Sequence, residues 1–411
     1  MDGMDGMNGT NSYEDVVRAA AREVFPDAQI HVDGITLRLT EANGNRSEFL
    51  CSDPERSSRG LLFEERVAMT ADYLRRFPAD HTPEPETPWD RIMPLVRPSA
   101  LFLDPRVAGK AILRPMAEHL VEVVGVDHPD TTEVLMRETA GSWGASPEAL
   151  FRAARENLSR CGYRTSIEPI GATGQGAAFV VSPYGYHPSW LVLPEVFARP
   201  IGAVANPVYG LSRQLVFPVT RNEMFVLPES DEEAVDAALC YAEEVYLDDP
   251  RAMLPFPLVV EDGRLRAWRQ PRTRLGAIAW LLRRRYVRSQ YAAQTELLTH
   301  ALRNDPNPPD PPPVILPVAG EGMQPTAVEV EVGAGELILP EVEYLDLRSP
   351  RGRLVVPWAR AAAFLGLEHL PGWWPDRWAV GAWPSDEETW AGLAEAQVDP
   401  HTLDREVWSV G

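Results

Sequence analysis

Arg97, Asp127 and His187 are three residues of this sequence that, brought together, could do acid–base or anion chemistry. An imidazole can accept or give a proton near neutral pH, a guanidinium fork can clamp a carboxylate or phosphate, and a carboxylate can orient either. If they converge, they suit a hydrolase or transferase acting on an anionic substrate. Each also has a structural reading: an ion pair for Arg97, a turn around Pro129 for Asp127, an ordered aromatic loop for His187. Tyr184, Tyr186 and Trp190 flank His187 in a stretch punctuated by Gly and Pro. They would give a planar ligand or a peptide an aromatic wall, or pack on the core.

Two further clusters are candidate binding surfaces. Nine arginines fall between Arg264 and Arg288, and Arg283, Arg284, Arg285 and Arg288 occupy more than half of one helix circumference. They would dock an acidic protein or RNA, or else neutralise this chain's own acidic surface. Seven of the twelve tryptophans lie beyond residue 350, including the adjacent Trp373 and Trp374. Tryptophan anchors interfaces, and it also fills small cores.

Motifs for other chemistries are missing from the sequence. There is no phosphate loop, no His-Glu-x-x-His, no nucleophile elbow and no EF-hand loop. The run from Gly171 to Gly176 lacks dinucleotide-loop spacing and precedes a strand pattern, so a plain turn is expected. His119 and His128 lie nine apart across a strand pattern and face opposite ways, so no metal is expected. Cys51, Cys161 and Cys240 form no Cys-x-x-Cys pair and fit a reducing cytoplasm. No cofactor is expected.

The elements that must position these residues follow from periodicity. Ser12 can cap a helix over residues 13–25, and Asp33-Gly34 can turn a hairpin of alternating apolar residues. A second helix is expected over residues 61–77. Strands are expected around residues 94–103, 120–126, 178–181, 215–219 and 224–227. Ser146-Pro147-Glu148 opens a helix with Leu150, Phe151, Ala154 and Leu158 inward, and Ser230 to Glu233 reads as a capping box for another. The arginine-rich helix is expected within residues 269–303. The Pro-rich run 304–313 forbids helix and sheet and reads as a spacer. After it, strands around 328–332 and 353–358, an Ala-rich helix and a second capping box at Ser385 are expected.

Composition sets the outer limits. The 411 residues are 45% hydrophobic and 24% charged, enough for two or three domains with sizeable cores. Net charge is −21, which disfavours general binding to nucleic acid or anionic lipid. Lys110 is the only lysine, a bias spread over the whole chain that points to no site. No apolar run approaches the ~20 residues that span a bilayer. The first twelve residues, with neither a basic region nor an apolar core, read as a disordered tail.

Residues 91–158, with MPLVRPS around Pro94 and Arg97, then Asp127-His128, then WGASPEALFRAARENL, resemble the YtpQ-like bacterial proteins, a family of unknown function. The resemblance extends over most of residues 13–268 and includes LPFPLVVEDGRL. Where the family has a Gly-Tyr-Asp-Ala-Ser-type turn, this chain reads Gly185-Tyr186-His187-Pro188-Ser189. The resemblance implies a mixed α/β bacterial protein in the cytoplasm and carries over no catalytic residue.

The expected fold class is α+β: a mixed-sheet α/β body over residues 13–268, with a possible sub-boundary at 79–90. The arginine-rich helix, the spacer and a smaller Trp-rich α+β domain at 314–411 follow. The expected function is non-enzymatic binding of a protein partner through the Trp-rich domain. The alternatives are the enzyme built on Arg97, Asp127 and His187, and binding through the arginine helix.

Overall fold

In the computed structural model, the described residues are 12–34, 36–40, 42, 46–51, 54–55, 58, 60–75, 86–103, 108–128, 132–162, 164–169, 176–181, 186–197, 213–249, 251–270, 273–303, 311–320, 324–380, 383 and 387–399. The chain divides into two compact units. One comprises Met1–Arg91, Val126–Glu133 and Asp248–Arg251, and the other Ile92–Gly125, Val134–Leu247 and Ala252–Gly411. Both are built from helices and mostly antiparallel sheets, an α+β fold.

In the first unit Ser12 and Asp15 cap α1 (Tyr13–Val24) reciprocally. The Asp15 N–H donates to Ser12 Oγ (3.4 Å) and the Ser12 N–H to the Asp15 carboxylate (3.0 Å), satisfying two helix-end donors. β1 (Gln29–Asp33), β2 (Thr36–Thr40) and β3 (Arg46–Leu50) follow as an antiparallel meander. Gly34 turns the first hairpin at φ +60°, a conformation open to glycine. Val32, Leu37 and Leu39 alternate inward and pack with α1 and α2 (Phe63–Arg75) around the buried Cys51.

The second unit begins with β4 (Ile92–Pro98), β5 (Leu113–Ala117) and β6 (Leu120–Asp127, in this unit as far as Gly125), in the order β4-β6-β5; β7 (Thr132–Val134) pairs with β6. The short α3 (Arg137–Ser142) precedes α4 (Pro147–Cys161). α4 starts where Ser146 Oγ accepts from the Ala149 N–H (3.3 Å) with proline at the first helical position. Its buried Leu150, Phe151, Ala154 and Leu158 face β4, and Asn157 Nδ2 donates to the Ile92 carbonyl (2.8 Å).

A six-stranded antiparallel sheet forms the centre of this unit. It takes β8 (Arg164–Pro169), β9 (Gly176–Val181), β10 (Gln214–Thr220), β11 (Glu223–Pro228), β12 (Leu258–Glu261) and β13 (Arg264–Ala267), in the order β13-β12-β10-β11-β9-β8. Two-residue alternation divides its side chains between two cores. Leu215, Phe217, Phe225 and Leu227 pack on α5 (Glu232–Asp248) and α6 (Arg274–Arg303). Val216, Met224, Val226 and Leu258 pack on the opposite side with Leu95, Val121 and Trp190. Asp262 and Gly263, both at positive φ, close the β12–β13 hairpin as the sequence pattern requires. The cap of α5 differs from expectation: Asp231, not Ser230, accepts the Ala234 N–H (3.0 Å), because the helix starts at Glu232 and places Asp231 at its N-cap.

After α6 two small sheets interleave. β14 (Val314–Ile315) runs parallel to β16 (Leu337–Pro340), and β15 (Ala327–Glu331) runs parallel to β17 (Tyr344–Ser349). β18 (Gly352–Pro357) extends the second sheet; β19 (Leu367–Leu370) and β20 (Arg377–Val380) extend the first. α7 (Trp358–Leu365) and α8 (Glu387–Glu395) close a core of Val328, Val330, Leu339, Leu345, Leu347 and Val356. The expected cap at Ser385, the spacer residues 304–310 and the glycine-rich turn 171–175 lie outside the described residues.

Candidate functional site

Among the described residues, a concentration of buried polar groups runs along one side of α6. Arg284, Val287, Tyr291, Gln294 and Leu298 are all buried, at spacings of three and four residues, so two polar residues sit in a core stripe. Arg284 is 1% exposed. Its Nε and Nη2 donate to the Glu343 carboxylate at 2.9 and 2.8 Å, a bidentate pair. The same carboxylate accepts from the Thr326 N–H (2.7 Å), Thr326 Oγ1 (3.1 Å) and Trp280 Nε1 (3.2 Å). Burial pushes the Glu343 carboxyl up, but the hydrogen bonds and charge of Arg284, with Thr326 and Trp280, outweigh it and hold the carboxyl below its usual range.

Two to three helical turns further along α6, Arg377 from β20 is fully buried. Its donors go to Gln294 Oε1 (2.6 Å), Leu316 O (2.7 Å) and Thr295 Oγ1 (2.7 Å), with its guanidinium over the Tyr291 ring. Burial pulls this guanidinium down to about 10, so it stays a cation at neutral pH. Gln294 Nε2 donates to Pro375 O (2.8 Å) and the Tyr291 hydroxyl to Asp376 O (2.9 Å). These contacts tie α6 to β14, β17 and β20.

At the N-terminal end of the stripe, Arg283 pairs with Glu118 and lies over the Trp280 ring. His119, beside Glu118, has φ +60°, unusual for a residue with a Cβ. Its ring meets Tyr286 edge-on (5.3 Å), its Nε2 is buried with no hydrogen-bond partner, and burial pulls its pKa down to about 4. It is a neutral imidazole at pH 7.

The arginine run is therefore engaged inside the chain. Arg283 and Arg284 hold Glu118 and Glu343, Arg285 holds Glu243, and Arg288 donates to the Gln324 carbonyl. Trp373 packs with Leu298, Ile315 and Ile338, and Trp374 packs on the core that holds Trp190. Both are half-buried.

The other candidates are placed as follows. Arg97 lies half-buried on β4 and donates to the Val96 carbonyl (2.9 Å). His187 opens the 3-10 turn His187–Val192, which packs against β4. Burial lowers the His187 pKa, and its buried Nδ1 lacks a hydrogen-bond partner. Tyr186 and Trp190 are core residues of the second unit. Asp127, in the first unit, accepts from Thr132 Oγ1 (3.2 Å), which is the turn-closing role. Tyr184 lies outside the described residues.

Sequence reasoning missed Trp280, Glu343, Arg377, Gln294 and Tyr291. A signal existed: the spacing 284, 287, 291, 294, 298 places Arg and Gln in a buried helical stripe. Among the described residues no group of three or more His, Cys, Asp or Glu is arranged to hold a metal, and no helix is long and apolar enough to cross a membrane. No family model, curated protein or solved structure matches the chain.

Proposed function

We propose that this chain is a binding protein whose recognition surface lies on the C-terminal Trp-rich segment, with the rest of the second unit as its mount. The observation that carries this reading is the Arg284–Glu343 pair. That concentration of buried polar groups is consumed in fixing that segment on α6, and a rigidly mounted surface loses little entropy on binding. Trp358 and Trp378 meet edge-to-face (6.0 Å) with the exposed His369 against Trp378 (5.1 Å), and Phe364 on α7 is exposed as well. Such aromatic surfaces suit a protein partner. Exposed thiols at Cys161 and Cys240 favour a reducing compartment, and the resemblance of residues 13–268 to YtpQ-like proteins favours a cytoplasmic bacterial setting.

The test is site-specific photo-crosslinking at positions 364 and 369 in cells that make the protein, compared with Phe364→Asp and His369→Glu. The expected result is one discrete crosslinked partner that both substitutions abolish while the melting temperature is unchanged. Absence of a discrete adduct, or an adduct indifferent to both changes, overturns the reading.

A second reading, an enzyme using His187 as acid–base group beside Arg97, draws on the buried, unpartnered Nδ1 of His187 and the packing of its turn on β4. Binding of RNA or an acidic protein through α6 is less favoured, because its arginines already hold acceptors within the chain.

A further inference from the structure

We infer that Arg114 and Arg155 form a binding site for the phosphate group of a small molecule. The site is independent of the C-terminal segment. Arg114 on β5 lies directly across from Glu122 on β6, and its Nε donates to Glu122 Oε2 (2.7 Å). Arg155 reaches the same carboxylate from α4, through Nε (3.0 Å) and Nη2 (2.7 Å). Glu122 is 1% exposed, whereas the two arginine side chains are 37% and 38% exposed. One buried carboxylate therefore fixes two guanidiniums whose outer edges face solvent.

The charge does not balance. Two guanidiniums against one carboxylate leave a net positive charge. In two other networks carboxylates match or outnumber arginines: Arg213 meets Glu229 and Glu261, and Arg348 and Arg353 meet Glu329 and Asp346. Arg152, exposed and one turn before Arg155 on α4, adds a third cation, while the neighbouring Glu156 leans to Arg160 (3.9 Å). Glu148, in the first turn of α4, is the nearest remaining acid along the helix.

The free donors are aimed as well as charged. The guanidinium carbon of Arg114 sits 4.0 Å from the centre of the Phe151 ring, which fixes its plane. Glu122 takes only its Nε, leaving both terminal nitrogens as the planar fork that matches phosphate oxygens. Arg155 contributes its unused Nη1. The net charge of −21 repels a polyanion such as nucleic acid, and a small phosphate ester escapes most of that repulsion because it meets the field only locally.

Titration of the full chain with inorganic phosphate and with phenyl phosphate, each against chloride at constant ionic strength, tests the site by phosphorus NMR line broadening and calorimetry. Saturable binding is expected, weakened at least about tenfold by Arg114→Gln, which removes a charged donor pair but keeps Glu122 paired to Arg155. Glu122→Gln, which removes the competing carboxylate, is expected to tighten binding. Phenyl phosphate binding more tightly than inorganic phosphate would assign the site to an ester, and the reverse to the free ion. The proposal is overturned if neither probe saturates, or if Arg114→Gln binds like the parent chain. A loss with Glu122→Gln in a protein that keeps its melting temperature also overturns it.

Discussion

Glu343→Gln tests whether the α6 seam holds the C-terminal segment in place. The change keeps the shape of the side chain and removes its charge. Arg284, 1% exposed, then loses the charged carboxylate that takes two of its hydrogen bonds. Breaking a buried pair by removing one partner costs about 3–5 kcal/mol, because the remaining charge keeps its desolvation penalty. Replacing both partners, Arg284→Met with Glu343→Leu, removes that penalty and leaves the Thr326 N–H and Trp280 Nε1 short of their acceptor, a cost of about 1–3 kcal/mol each. The double variant is thus expected to be less destabilised than the sum of the Arg284→Met and Glu343→Leu changes. Denaturation in urea, with hydrogen exchange of the α6 amides to separate the two units, reads these differences. Acid gives a second reading of the same pair. The Glu343 pKa is depressed in the folded chain, so its contribution is present above the unfolded carboxylate pKa and is lost as pH falls through the folded one. A Glu343→Gln cost below about 1 kcal/mol, or a double variant equal to the sum of the singles, would show that the pair does not hold the seam.

Two further outcomes are expected. His119 is neutral in the fold with its pKa pulled to about 4, so the unfolded chain binds its proton first as pH falls. Stability should drop by about 3 kcal/mol between pH 7 and pH 4 from this residue, and His119→Asn, which tolerates positive φ, should flatten that part of the urea-midpoint profile. Cys51 is fully buried and its thiol is pushed up to about 12, while Cys161 and Cys240 are exposed. A thiol reagent at pH 8 should therefore label two cysteines quickly and the third only on unfolding; three equal rates would contradict the packing around Cys51.

Local signals in the sequence were legible because they act locally. Ser12, Asp33-Gly34 and Ser146-Pro147 each set backbone geometry within a few residues, and each appears where the pattern places it. The seam was not legible, since Arg284 meets Glu343 across 59 residues and Arg377 meets Gln294 across 83, and no local rule reports such pairings. The arginine helix left two readings open for a related reason. Read as a surface, its charge suggests an outside partner; in the fold, Arg283 and Arg284 are turned inward and matched to Glu118 and Glu343. Among the site candidates Tyr186 and Trp190 proved to be core, where their aromatic surface is buried.

The polar stripe of α6 also bears on specificity. An apolar stripe alone would tolerate a slip of α6 by one turn, about 5.4 Å, with modest repacking. Such a slip would carry Arg284 away from Glu343 and Gln294 away from Arg377 together. It would strand two guanidiniums and a carboxylate in the interior, at several kcal/mol for each ion. The register is fixed by the polar residues more firmly than by the apolar ones around them. Direct selection for stability would favour Leu or Met at position 284, since matched apolar replacements of buried pairs are often at least as stable. Arginine at that position is therefore better explained by the single placement it enforces on the segment beyond α6. That is the requirement a recognition surface has and a plain structural core does not.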